Sequence, residues 1–175
     1  MDIKQDFIKP VLVLSLICLV VAGALALMNG VTHPIIEAAA AERAVTAMNE
    51  IIPHATGFVP IDDEGLSRSI REVYGTENDV GFIFIVSVNG FSGEIRIICG
   101  IDPDGRIISS MVLQHTETQG IGTIIDEPSF TGQFDGKDGG LEGISAVTGA
   151  TISTVAYMNA IREVFEAFEI VTGGR

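Results

Sequence analysis

From Pro10 to Ile36 the chain carries no Asp, Glu, Lys or Arg, and Pro10 to Met28 (PVLVLSLICLVVAGALALM) is nearly all apolar. At about 1.5 Å of rise per residue, such a helix spans a hydrocarbon core of roughly 30 Å. This segment therefore reads as a transmembrane helix. A cleaved signal peptide is the rival, because Ala24-Leu25-Ala26 has small residues at the spacing of a cleavage site and Lys4 and Lys9 precede the run. The run exceeds the usual apolar core of about 7 to 15 residues, which favours retention, and Cys18 lacks the small residue before it that lipid attachment requires. With Lys4 and Lys9 ahead of the span and Glu37 and Glu42 after it, the positive-inside bias puts the N-terminus in the cytoplasm and the rest on the extracytoplasmic side.

Within 175 residues this leaves room for one ordinary domain. A net charge of −13 argues against a nucleic-acid partner and disfavours a domain lying flat on anionic lipid. Of the two cysteines, Cys18 lies in the span and Cys99 in a strand-like run, so no disulfide is expected. The three histidines are scattered and no Cys/His cluster has metal-ligand spacing, so no metal site is expected. His115 beside Glu117 could be catalytic, although an unclustered histidine reads more simply as a polar loop residue.

Beyond the span, Glu37 to Glu50 is built of strong helix formers and Pro53 ends it, giving a stalk. Pro60 to Gly65, with Asp62, Asp63 and Glu64, reads as a charged turn. Gly81 to Val88 reads as a buried strand, Asn89-Gly90 as a turn, and Glu94 to Ile101 as a strand with Ile95, Ile97, Cys99 and Ile101 on one face. After the tight turn Asp102-Pro103-Asp104-Gly105, Arg106 to Gln114 completes a three-stranded antiparallel meander. Gly120 to Gly143 is glycine-rich and loop-like. The tail is a helix ending at Gly173-Gly174, whose apolar stripe of Val155, Met158, Ile161, Phe165 and Phe168 should cover the sheet. The fold class is α+β, one antiparallel sheet with packed helices on one side. The expected division is 1–36 for the cytoplasmic stub and span, 37–53 for the stalk, and 54–175 for the extracytoplasmic domain.

Chemistry concentrates where the last helix begins, in V-T-G-A-T-I-S-T (Val147 to Thr154). One reading is capping, in which a Ser or Thr oxygen accepts a first-turn amide for about 1 kcal/mol. That explains one or two hydroxyls. The presence of Thr148, Thr151, Ser153 and Thr154, beside Gly149 and Ala150 that permit close approach, also describes a phosphate site at a helix N-terminus.

The same stretch resembles the [ST]-G-A-T-x-[ST] motif of the FMN-binding domain in the G subunit of the Rnf electron-transport complex, and in the related C subunit of the sodium-pumping NADH:quinone reductase. H-T-E-T-Q-G-I-G (His115 to Gly122) resembles that family's E-T-P-G-[LI]-G segment, and G-F-S-G-E-I (Gly90 to Ile95) its glycine-containing turn. With the span, the stalk and the strand order, the resemblance covers nearly the whole chain. It implies that FMN is joined by a phosphoester to Thr151 by a flavin transferase that uses FAD. Thr148, Gly149, Ala150, Ser153 and Thr154 would then surround the phosphate, and Glu117, Thr118, Gly120, Ile121 and Gly122 would form the loop beside the flavin. Two positions depart from the family pattern. Ser145 stands where Asp is usual, and Gln119 replaces a Pro, which makes for a less rigid loop.

The resemblance implies an electron-carrier subunit of an Rnf-type complex, partnered by other membrane and redox subunits, in ferredoxin-linked electron transfer coupled to ion translocation. No nicotinamide fingerprint follows a strand and no acid/base pair is evident, so no independent catalytic site is expected. Two alternatives stand beside this reading: a flavin carrier of another extracytoplasmic electron-transfer chain, and an anchored binding or scaffold domain without flavin.

Overall fold

The computed structural model describes residues 3–62 and 65–173. Asp63 and Glu64 of the expected turn and Gly174 of the helix end lie outside them, as do the side chains of Lys4 and Glu37. The chain divides into two compact units, Met1–Glu42 and Arg43–Arg175. The described residues of the first are helical, part of α1 (Ile3–Ile51), and its apolar side chains from Val11 to Ile36 are exposed. That helix is long and apolar enough to cross a membrane. Cys18 and Cys99 are both free thiols.

The second unit is built on a five-stranded antiparallel meander, β1 (Phe58–Ile61), β2 (Ile70–Thr76), β3 (Phe82–Asn89), β4 (Glu94–Ile101) and β5 (Ile107–His115), in that spatial order. Both hairpin turns expected from the sequence are present. Gly90 N–H donates to the Gly93 carbonyl at 2.8 Å. Asp102 Oδ1 accepts from the amides of Asp104 and Arg106, and Gly105 takes the left-handed φ of 78° that the turn needs. Two strands lie outside the expected three. Pro60 and Ile61 belong to β1 rather than to a turn, which is possible because β1 is an edge strand where a missing N–H breaks no inner ladder. Strand β2 (IREVYGT) is too polar to stand out by pattern, yet Ile70 and Val73 anchor it in the core.

Helices cover both faces of the sheet, not one. Phe84, Val86, Ile95, Ile97, Cys99 and Ile101 pack toward α3 (Thr151–Thr172), whereas Ile83, Ile85 and Ile98 pack against Ala47, Met48, Ile51 and Ile52 at the end of α1. Burial on both sides is why β3 reads as a continuous apolar run. The inward face of α3 is also rotated from the expected stripe. Thr154, Tyr157, Ala160, Ile161, Val164 and Ala167 are buried, Met158, Phe165 and Phe168 flank them, and Val155 is exposed. Two small residues, Ala160 and Ala167, thus share the buried face with Tyr157, Ile161 and Val164, while Met158, Phe165 and Phe168 are only partly buried.

The glycine-rich stretch is more ordered than a loop. It contains a 3-10 turn (Gly122–Asp126) and a short helix α2 (Pro128–Thr131). Ile125, Phe130, Phe134 and Leu141 pin it to the core, with the rings of Phe130 and Phe134 within 5.3 and 5.1 Å of the Tyr157 ring.

Candidate functional site

Helix α3 begins at Thr151, and no side chain caps it among the described residues. The residue before it, Ala150, has φ −119° and ψ 27°, not the extended backbone of a usual N-cap. The amides of Thr151, Ile152 and Ser153 are thus left without intrahelical acceptors, and the helix dipole adds positive potential there. Capping, one of the two readings of the four hydroxyls, is not what they do. Thr154, fully buried, donates its hydroxyl to the Ala150 carbonyl at 3.0 Å and accepts the Val147 amide at 3.2 Å, fixing the loop that leads into the helix. Ser153 donates to Glu117 Oε2 at 2.6 Å. Thr148 and Thr151 are exposed. Gly149 holds φ of 91° with open space where a Cβ would be, so the glycine is required by backbone conformation rather than by crowding.

Glu117 joins three segments. The residue is 7% exposed, and its carboxylate accepts the Ser92 amide at 3.0 Å as well as the Ser153 hydroxyl. It therefore ties the β3–β4 turn and the 117–122 loop to the first turn of α3. The space around it depends on glycine: a Cβ at Gly122 would lie 2.6 Å from the Glu117 Cβ, and one at Gly90 would collide with Oε1. Beside it, Thr118 Oγ1 and Ser92 Oγ share a hydrogen bond of 3.2 Å.

These segments enclose a cavity of about 380 Å³ lined by Glu117, Thr118, Gly122, Thr151 and Ser153, among others, with Phe91, Ile121 and Ile152 exposing apolar surface at it. A second, of about 200 Å³, lies across the Gly149-Ala150 backbone and takes in Thr148 and Gly120. Of the sequence-predicted residues, Glu117, Thr118, Ile121, Gly122, Gly149, Ala150, Thr151 and Ser153 line the larger cavity, Thr148 and Gly120 only the smaller, and Thr154 neither. Sequence reasoning alone does not assign Phe91, Ser92 and Ile152 to the site. The Gly90–Gly93 turn holds a signal for the first two, since a turn with glycine at both ends presents the residues between them.

The first-turn amides, the exposed Thr151 hydroxyl and a cavity of this size fit a phosphate-bearing ligand with a flat, largely apolar body. Burial pushes the Cys99 thiol well up, with Asp135 adding to the effect, so it stays protonated. Burial likewise raises the Tyr157 phenol, which donates to Ser110 Oγ at 2.8 Å. No metal-binding group of His, Cys, Asp and Glu occurs among the described residues.

The family described as the FMN-binding domain matches residues 90–166, which include the β3–β4 turn, the 117–122 loop and most of α3. The G subunit of the ion-translocating oxidoreductase complex of Methanosarcina acetivorans is 32% identical over 178 residues, an alignment covering 92% of this chain and 94% of that protein. The G subunit of the Na(+)-translocating ferredoxin:NAD(+) oxidoreductase complex of Acetobacterium woodii is 29% identical, with 90% of this chain and 89% of that protein covered. Among solved structures, NqrC of Shewanella oneidensis is similar over 58% of this chain and 61% of that one, at 20% identity and a TM-score of 0.49. A relative at 32% identity along almost the full length of both proteins settles the family, and the chain belongs with the G subunits of ion-translocating oxidoreductase complexes.

Proposed function

We propose that this chain is a membrane-anchored electron carrier of an Rnf-type complex, and that its carrier is FMN esterified to Thr151. The observation that supports the reading best is the open start of α3. A helix whose first-turn amides are uncapped, with an exposed threonine at its first position and a cavity against it, is arranged to hold a phosphate by its oxygen.

In the attachment step the Thr151 oxygen attacks the FMN-side phosphorus of FAD, supplied by a flavin transferase. The pyrophosphate bond breaks, AMP leaves, and the hydroxyl proton passes to solvent. Thereafter the first-turn amides and dipole balance the negative charge of the phosphodiester. Thr154 keeps the Gly149-Ala150 loop in place, and Glu117 keeps the 117–122 loop against the helix start. Phe91, Ile121 and Ile152 offer apolar surface for a ring system. When bound, FMN supplies the reversible oxidation and reduction. Covalent attachment prevents its loss to a compartment without a flavin pool. The N-terminus lies in the cytoplasm and the flavin domain on the other side, with 1–36 as stub and span, 37–53 as stalk and 54–175 as flavin domain. The partners are the other membrane and redox subunits of the complex.

Denaturing gel electrophoresis tests the proposal. Chain made together with a flavin transferase should give a band with flavin fluorescence, and Thr151→Val should not. A dark wild-type band would favour an anchored domain without flavin, and a fluorescent Thr151→Val band would move the attachment elsewhere.

A further inference from the structure

The geometry around β5 assigns a role to His115 that the flavin reading leaves unused. Strand β5 pairs with β4 through Ile97↔Val112 and Arg96↔Gln114, so Leu113 is an extra residue, a β-bulge. Before the bulge the even-numbered residues Ser110 and Val112 share the α3 side, opposite Cys99 and Ile97. After it the parity flips, and His115 stands opposite Ile95 on that same side. Without the extra residue His115 would point to the other face of the sheet.

Once turned inward, the imidazole is held at both nitrogens. Nε2 lies 2.8 Å from Asp126 Oδ2, and Nδ1 accepts the backbone amide of Glu117 at 3.0 Å. An N–H that donates to Nδ1 requires that nitrogen to be unprotonated, so the proton of the neutral ring is on Nε2 and is donated to Asp126. We propose that His115 is the positioning residue of the site: locked by Asp126 in its Nε2–H tautomer, it holds the Glu117 backbone so that the Glu117 carboxylate can join the Ser92 amide to Ser153. The chain of contacts runs from Asp126 through His115 and Glu117 to the first turn of α3, two residues from Thr151. Its consequence for the flavin rests on the attachment proposed above, whereas the tautomer and the hold on Glu117 do not.

The test uses the flavin-free full-length chain in detergent micelles. Ring ¹⁵N shifts of His115, assigned against His33 and His54 by a His115→Asn spectrum, should show an unprotonated Nδ1 and a protonated Nε2 at neutral pH. A proton on Nδ1 would overturn the proposal, whatever the variants do. The variants separate the two nitrogens. In His115→Asn the side-chain oxygen can stand where Nδ1 stood, whereas His115→Gln reaches toward Asp126 and offers Glu117 no equivalent acceptor. Hydrogen exchange at the Glu117 amide should therefore speed up by roughly tenfold or more in His115→Gln and change much less in His115→Asn. The reverse order would mean that His115 acts only as a strut to Asp126. With a transferase present, the flavin-bearing fraction should follow the same order, Asn above Gln. Equal loading of both would overturn the positioning role. If no variant and no wild-type chain carries flavin, the attachment proposal fails, while the tautomer and exchange results still decide this one.

Discussion

The two ends of α3 are built by opposite rules. At its C-terminus Gly173 adopts φ of 69° and its N–H meets the carbonyls of Glu169 and Ile170, while the Thr172 hydroxyl takes that of Phe168. At its N-terminus four hydroxyl residues stand within reach, and none caps the helix. Ser153 is committed to Glu117 and Thr154 to the loop before the helix, which leaves Thr151 exposed beside free amides. The helix thus satisfies its C-terminal end and leaves its N-terminal end open, the contrast on which the proposed attachment at Thr151 rests.

Substitutions at the two ends should therefore separate function from stability. The largest effect is expected from Thr151→Ala, which removes covalent flavin completely yet shifts unfolding free energy by no more than about 0.5 kcal/mol, because no cap is lost. Gel fluorescence and a denaturant melt of the same sample would show both. A large loss of stability would mean that the hydroxyl caps the helix after all. Thr154→Val should do the converse, costing about 1 to 3 kcal/mol by leaving the part-buried Val147 amide without its acceptor, with flavin loading lowered in proportion to loop disorder. At the far end, Gly173→Ala should cost about 1 kcal/mol for a side chain in the left-handed region and leave flavin loading unchanged.

The smallest effect concerns the tyrosines. Tyr74, hydrogen-bonded to Glu72 and partly desolvated, is raised to about 12 from the ordinary value of 10.0, and burial raises Tyr157, in the second turn of α3, as well. Each binds its proton more tightly folded than unfolded, so its contribution to stability is complete below pH 10.0 and is lost as pH rises through the folded value. An absorbance titration should show little tyrosinate near pH 10.0 until the fold opens. Ionisation of either ring at the ordinary value would show that the packing around it is looser than described.

Much of the molecule is legible in the sequence, for reasons that differ by region. The apolar helix, the turns at Asn89-Gly90 and Asp102–Gly105, and the alternation of Ile95 to Ile101 are local signals, set by composition and backbone preference within a few residues. Strand β2 is hidden because its partners, not its own pattern, make it a strand. Apolar spacing alone misjudges the inward face of α3, because it passes over Tyr157, Ala160 and Ala167, which are buried, and includes Val155, which is exposed. At the site, V-T-G-A-T-I-S-T points to the right helix end. What each hydroxyl does cannot be read there, since Ser153 takes its role from Glu117, 36 residues away. The place of His115 depends on a one-residue bulge that no short motif announces.

The central claim is an ester at one oxygen, and mass spectrometry of the intact chain tests it most directly. Protein purified from cells that contain the transferase should weigh one FMN less one water more than the bare polypeptide, with the added mass on the fragment holding Thr151. A chain at its unmodified mass under those conditions, or an added FMN mapped to any other residue, would contradict the account.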